Sequence, residues 1–412
     1  MEHKTLHGRI LKILQGSGPY SNILVLQDGN IHHYNKCICD KDIAEGQLVE
    51  IDDKTSDETI HITPVENMIV NFNIDSDVFR WNNPDTTVTR AQILRLRHQI
   101  IKEIRSYFDE QGFLETQVPH IIRGTCPDPY IDSFAVEDRY LTTSTEYQIK
   151  RLIAGGFDKV YTLCQNFRHG EISDRHNPEF TMLEWGRAYS TLNDIETDAE
   201  NLIRRICKRI FNDKQEFIWN DVRIDIDSRP WIKISIKDAL LKYCSINIGE
   251  HLDIKSLKSE VLRLGWSIPD YCIENSHAFV SLVLDMLQKR ILSETPVFLC
   301  DWPSFMTSSA PLKNGQSEIT ERSELIIAGL ELSDGFPWHT SADKQREGFQ
   351  NALKLRKELK KEAVKIDEKY IGALSDGMPP GAGMALGIDR LVMILTGASN
   401  IKDVLAFSWD EV

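Results

Sequence analysis

The chain has 412 residues, 41% of them hydrophobic, which is enough for a buried core and for two or three domains. With 62 acidic against 48 basic side chains the net charge is −14, which argues against a protein that coats nucleic acid generally and leaves room only for a local basic strip. No apolar run approaches the roughly 20 residues that span a bilayer, and the opening MEHKTLHGRI lacks the apolar centre of a signal peptide.

The eight cysteines include no CxxC pair. Cys37 and Cys39 lie near His32 and His33, but zinc usually takes a second, clearly spaced pair. Scattered thiols in a reducing cytoplasm are the better reading. Residues 1 to about 75 carry five short β-type runs: Gly8–Leu14, Asn22–Leu26, Ile31–Tyr34, Gln47–Ile51 and Thr59–Thr63. Asp28-Gly29-Asn30 is a turn signal between two of them. So many short strands predict a small barrel of the OB type. Val70–Pro84 reads as a linker broken by Asn82-Asn83-Pro84, and residues 76–412 read as a second, larger domain.

A helix is expected from about Thr87 to Gln111. Ile93, Leu96, Ile100, Ile101, Ile104, Tyr107 and Phe108 recur on one face, and Gly112 is placed to end it. A strand over Leu114–Pro119 follows. Thr143–Lys150 leads into another helical run. Val160–Phe167 and Phe180–Trp185 are apolar and aromatic, and between them lie Arg168, Glu171, Arg175, His176, Asn177 and Glu179. Strand, charged loop, strand predicts a β-hairpin with a chemically equipped turn.

Residues 190–300 read mostly as amphipathic helices, with Trp231–Ile236 a short strand. In SELIIAGLELSDG, which begins at Ser323, the carboxylates Glu324 and Glu331 would repel at a common point unless a cation sat between them. Oxygen-only ligands suit magnesium shared with phosphates. KLRKELKKEAVK, Lys354–Lys365, reads as a basic helical strip, more often a solvated face than a docking site for an acidic partner. In PPGAGMALGIDRLVMILTG, Pro379–Gly397, the residues Gly381, Gly383 and Gly387 allow close approach to the backbone. With Arg390 they form a shelf suited to a nucleotide.

FRHGEISDRHNPEFTMLEW and GAGMALGIDRLVM resemble motifs 2 and 3 of the class II aminoacyl-tRNA synthetases, in their lysine-type subclass. These motifs span about 160–189 and 379–397, and the helix–strand–proline unit over about 93–119 resembles motif 1. TSTEYQIKRLIAGG (143–156) and the terminal SWDEV look most like the tRNA-independent paralogues of lysyl-tRNA synthetase that attach β-lysine to elongation factor P. The resemblance runs from about residue 80 to the end. It implies an α+β fold, an antiparallel sheet flanked by helices, and a homodimer formed through motif 1. It also implies an ATP-dependent ligase using magnesium. Synthetases of this subclass carry an N-terminal OB domain that reads the anticodon, whereas the elongation-factor ligases usually lack one. A structural or protein-docking barrel is therefore the first expectation here, and tRNA binding the second.

Carried over residue by residue, the resemblance makes Arg168 the clamp on the α-phosphate and the substrate carboxylate, a task suited to a guanidinium fork. Phe180 and Arg390 would sandwich adenine, and Asn177 would meet the base edge. Glu324 and Glu331 would hold magnesium, Glu331 also facing the substrate. His169, Gly170, Glu171, His176, Leu325 and Gly387 complete the nucleotide set. Ser144, Thr145, Glu146 and Glu184 would surround the amino-acid amines. Three positions shape the side-chain pocket. Ala385 matches the elongation-factor ligases, where the tRNA synthetases have glycine. Gly186 stands where both groups place a substrate-contacting tyrosine, and Trp338 near where both place a glutamate that holds the distal amine. The predicted reaction is activation of lysine, β-lysine or an altered amino acid as its adenylate, then transfer to a protein such as elongation factor P. The alternatives are a tRNA synthetase or biosynthetic enzyme, and a non-catalytic regulator that binds amino acid or tRNA.

Overall fold

A computed structural model describes the chain except residues 1–5, 16–19, 28–29, 40–42, 53–58, 66–80, 82–87, 215, 228–229, 250–252, 271, 273–274 and 307–309. The expected turn at Asp28-Gly29 and, Trp81 apart, nearly all of the expected linker lie outside the described residues. The chain divides into two compact units, Met1–His98 and Gln99–Val412, and the division falls within the helix Arg90–Glu110.

In the first unit the strands Leu6–Gln15, Ser21–Gln27, Asn30–Cys39, Leu48–Asp52 and Ile60–Pro64 close into a five-stranded barrel, in the order first, second, third, fifth, fourth. Ile10, Ile23, Val25, Val49, Ile51 and Ile62 fill it, as the alternation of a half-buried strand requires. Cys37 belongs to the same interior, and burial pushes its thiol up to about 11, so it packs as an apolar residue.

The second unit is built on an eight-stranded sheet. In spatial order its strands are Ile232–Ser235, Val297–Cys300, Ser323–Ile327, Leu330–Pro337, Gly381–Gly387, Glu179–Ala188, Lys159–Phe167 and Leu114–Glu115. The six central strands are antiparallel, and the strand at each edge pairs parallel. The class II type of α+β fold expected from the sequence is thus present, with parallel edges as a refinement.

The two faces of the sheet differ in how they are covered. Along Gly381–Gly387, Ala382, Met384 and Leu386 are buried while Gly383, Ala385 and Gly387 are only partly covered. The helix Leu192–Ile210 packs on this strand and on Leu330–Pro337. Thr191 starts it with a reciprocal cap, its side chain bonded to the Asp194 amide and its own amide to the Asp194 carboxylate. Ile195, Ala199, Leu202, Ile203 and Ile206 form its buried stripe.

Helices cover most of residues 190–300, but a hairpin of Glu216–Trp219 with Val222–Asp225 interrupts them, and the short strand is Ile232–Ser235. The basic strip is not one helix. The helix Ala342–Glu358 ends within it and Lys360 adopts a φ of 57°. Nor is the strip simply solvated. Arg356 is 2% exposed and donates to the carbonyls of Asp128, Ile131 and Glu362 and to the carboxylate of Asp132, which also pairs with Lys361. Among the described residues no helix is long and apolar enough to cross a membrane.

Candidate active site

Residues facing each other across neighbouring strands share a face. Glu184 pairs with Ala385, Ala385 with Asp334, and Asp334 with Glu324. One row on the sheet therefore carries three carboxylates, with a methyl group as spacer. A second row, two residues along, joins Gly186 to Gly383 and Gly383 to Phe336. Phe180 lies on the same face as Glu184, four residues back along the strand.

Glu184 is 4% exposed. Its carboxylate accepts from the Thr145 amide at 2.7 Å and from the Ser144 hydroxyl at 3.0 Å. Burial pushes it up to about 7, with the charge of Glu146 adding to the rise and Arg168 opposing it. Glu146 opens the helix Glu146–Ala154 and ion-pairs with Lys150, one turn on. Lys150 is buried; burial works against its ammonium, but Glu146 and Tyr370 more than offset this and hold its pKa up. The ammonium also lies 5.4 Å from the centre of the Phe336 ring.

At the other end of the row Glu324 is 3% exposed. Arg322 donates to one of its oxygens at 2.8 Å and Gln288 to the other at 2.9 Å. Arg322 also grips both oxygens of Asp334, at 2.8 and 3.1 Å. Burial drives the Glu324 carboxyl well above its ordinary value, and the charges of Glu331 and Asp334 push it further against the pull of Arg322. Among the described residues no three His, Cys, Asp or Glu side chains are grouped to hold a metal by themselves. Magnesium needs only one or two carboxylates when phosphates complete its shell. The crowded carboxyls of Glu324 and Glu331 fit that mode of binding.

The hairpin turn supplies the cations. Arg168 follows the strand Lys159–Phe167, lies 3.8 Å from Glu171 and stacks on Phe180 with its guanidinium carbon 5.1 Å from the ring centre. Gly170, with a φ of 82°, makes the turn that a β-carbon would strain. His169 packs edge-on against Phe134. Arg390 donates to the Glu331 carbonyl at 2.8 Å and to Nε2 of His176 at 2.6 Å, with Nδ1 of His176 held by Ser173. Burial, and then Arg390, Arg168 and Arg175, bring His176 down to about 4, so it is a neutral brace. A β-carbon at Gly387 would meet nothing closer than Arg390 Cδ at 3.7 Å. No protein atom demands glycine there, which leaves open a shelf for a ligand.

Three of the expected nucleotide residues have protein partners or surroundings of their own. The Asn177 amide is already engaged, donating to the Glu179 carbonyl at 2.7 Å and accepting from the Trp409 amide at 3.0 Å, so it ties the C-terminal segment to the turn. The Leu325 side chain is fully buried and can offer a ligand only its backbone. The ring of Phe180 carries Arg168, while Arg390 is held by His176 and by backbone carbonyls.

The charged residues among the rest are linked through their fields, from Glu146 and Glu184 through Arg168, His176 and Arg390 to Glu331 and Glu324. Reading the sequence missed Lys150, Arg322, Asp334 and Asp128; Asp128 lies within the fields of both Arg168 and Arg322. The Glu-x3-Lys spacing on a helix was a usable signal for Lys150. Asp334 becomes visible only with the strand register, and Arg322 and Asp128, which lie outside the strands, only with the three-dimensional contacts.

Residues 80–411 match the family of tRNA synthetases class II (D, K and N). A lysine–tRNA ligase of Clostridium novyi (strain NT) is 35% identical over 320 residues, 76% of this chain and 62% of the relative. One from Thermosipho africanus (strain TCF52B) is 34% identical over 328 residues, covering 78% and 63%. One from Legionella pneumophila (strain Lens) is 33% identical over 322 residues, covering 76% and 63%. The chain thus spans a little under two thirds of the length of these relatives.

Proposed function

The chain belongs to the class II tRNA synthetases (D, K and N), and on that premise we propose that it activates an amino acid with ATP and passes it to an acceptor. The observation that carries the reading is the shared face of the sheet and its hairpin turn on which Arg168, Phe180, Glu184, Glu324, Glu331 and Arg390 come together.

In the proposed reaction one carboxylate oxygen of the amino acid attacks the α-phosphorus. A phosphorus–oxygen bond forms as the bond to the bridging oxygen breaks, and pyrophosphate leaves with that electron pair. A carboxylate is already nucleophilic, so no general base is required. Arg168 orients the attacking carboxylate and the α-phosphate, which brings the reactants into line. Its fork also stabilises charge developing on the phosphate oxygens. Glu184 and Ser144 hold the amine. Phe180 offers a ring face to adenine, Gly387 leaves the backbone open beneath the nucleotide, and His176 keeps Arg390 aimed. Magnesium, held by Glu324 and Glu331, would neutralise the pyrophosphate oxygens.

For the acceptor we infer a protein of the elongation factor P type, because Ala385 stands at the centre of the carboxylate row. The names of the relatives favour tRNA as the second reading. A homodimer through the motif 1 region is supported by Leu114 and Ile121, each 46% exposed. Magnesium-dependent exchange of labelled pyrophosphate into ATP, driven by a mixture of amino acids, tests the activation step. ATP binding without any exchange would favour the non-catalytic regulator. A gel shift with total tRNA separates the two acceptors, and sedimentation equilibrium tests the dimer.

A further inference from the structure

The side-chain end of the candidate pocket is filled by the protein itself. Trp338 is 6% exposed and lays its indole along the lane left open by Gly186, Gly381 and Gly383. A β-carbon at Gly186 would fall 2.8 Å from the indole Cζ2, one at Gly381 2.5 Å from Cζ3, and one at Gly383 3.2 Å from Nε1. At Gly186 the ring is the nearest neighbour, while at Gly381 and Gly383 the carbonyls of Arg187 and Trp185 come closer still, at 2.3 and 2.9 Å; close-packed interiors leave no slack for an extra methyl beside such a ring. Gly186 and Gly383 stand one pleat beyond Glu184 and Ala385, about 7 Å along the strand. The indole thus closes the pocket a short distance past the groups that would hold the amine.

The surroundings of the indole are also wrong for a distal cation. Ile149 comes within 3.1 Å of the Gly186 β-carbon position, and Phe336 presents its ring to the Lys150 ammonium. Glu146 is occupied by Lys150, and Glu184 is taken by the α-amine in the proposed mode of binding. A second ammonium arriving there would meet an aromatic wall and a like charge, with neither carboxylate unclaimed. A four-carbon stem ending in a hydrated point charge has neither the length nor the partner it needs.

We infer that the amino acid activated has a short, uncharged side chain of the glycine, alanine or serine class, and that Trp338 seated on Gly186 excludes lysine. This rests on the reading of the site as an amino-acid-activating centre. The test is pyrophosphate exchange by the full chain with separate amino acids: glycine, alanine, serine, threonine, aspartate, glutamate, methionine, lysine and β-lysine. The expected result is a kcat/KM for at least one short neutral amino acid on the order of 100-fold above that for lysine, the ratio set by about 2.7 kcal/mol of differential binding. Trp338→Ala is expected to extend the range to methionine, and Trp338→Glu to raise the lysine rate relative to alanine by at least tenfold. Preferential exchange with lysine, β-lysine, methionine, aspartate or glutamate in the wild-type chain overturns the inference while leaving amino-acid activation standing. Exchange with no amino acid overturns both. The wild-type panel decides even where a Trp338 variant does not fold, and magnesium–ATP binding by calorimetry identifies such variants.

Discussion

The replacement Glu184→Gln isolates one buried charge. Glu184 sits in the sheet at 4% exposure, and its ionisation moves from the ordinary 4.5 to about 7, burial being the largest cause. In the unfolded chain the carboxyl ionises near its ordinary value. Below pH 4.5 both states hold the proton, and whatever the neutral side chain contributes to stability is fully present. As pH rises toward 7 the unfolded chain releases the proton first, so stability falls; above 7 both states are ionised and the loss is complete. The size of the loss is about 3 kcal/mol, at 1.36 kcal/mol per pH unit. Glutamine keeps the shape and can still accept from the Thr145 amide, but it carries no charge at any pH. Urea unfolding of both proteins without ligand, from pH 4.5 to 8.5, should show the variant gaining about 3 kcal/mol on the wild type by pH 7 and no more beyond it. The same ionisation should govern recognition. Wild-type affinity for an amino-acid ammonium should rise with pH up to about 7 and then level off, while the variant stays weak and flat. Parallel stability curves across the range would refute the argument, because they would mean that Glu184 ionises in the folded chain as it does in water.

Gly186→Ala should cost about 1–3 kcal/mol of stability, since its methyl would lie 2.8 Å from Trp338; combined with Trp338→Ala most of the added cost should be relieved, with Ile149 the neighbour that remains at 3.1 Å, as a double-mutant cycle by chemical denaturation would show. Arg168→Lys should lower kcat for pyrophosphate exchange by about 10²–10³ through loss of the fork over the α-phosphate, with the fold judged intact by circular dichroism. Arg356→Ala should destabilise by about 3–5 kcal/mol, because it strands three carbonyls and leaves Asp132 with Lys361 alone; a loss below 1 kcal/mol in urea would restore the solvated-face reading of the basic strip.

The hairpin and the glycine-rich strand were legible because local pattern determines them: two apolar, aromatic runs around a charged turn, and small residues alternating with core residues. The Gly186–Trp338 exchange was legible as a pair of departures, though only the structure shows that the indole fills the space a side chain at Gly186 would need. The hidden part was whatever depends on register or on distant partners. Asp334 reads as an ordinary strand residue until the sheet sets it opposite Glu324. Arg356 looked solvated because helical periodicity cannot report a partner 224 residues earlier in the chain. The hairpin Glu216–Trp219 and Val222–Asp225 was absorbed into the helices because its strands are only four residues long.

The row Glu184, Ala385, Asp334, Glu324 is what makes an otherwise unstable surface intelligible. Strands lie about 4.8 Å apart, so Glu184 and Glu324 stand about 14 Å apart at the backbone. Arg322 bonds directly to the row at the Glu324 end, the field of Arg168 reaches Glu184, and both terminal carboxyls are still pushed upward. A row arranged for stability alone would not leave two buried acids under-compensated. A row arranged for guests would place a cation site at each end and an anion site between them. An ammonium suits Glu184, magnesium suits Glu324 with Glu331, and the phosphates joining them suit Arg168 and Arg390. On this reading the ligands complete the electrostatics of the sheet. Binding of amino acid and of magnesium–ATP should therefore each raise the stability of the second unit, and together by more than either alone, because each reduces the repulsion that the other would still meet.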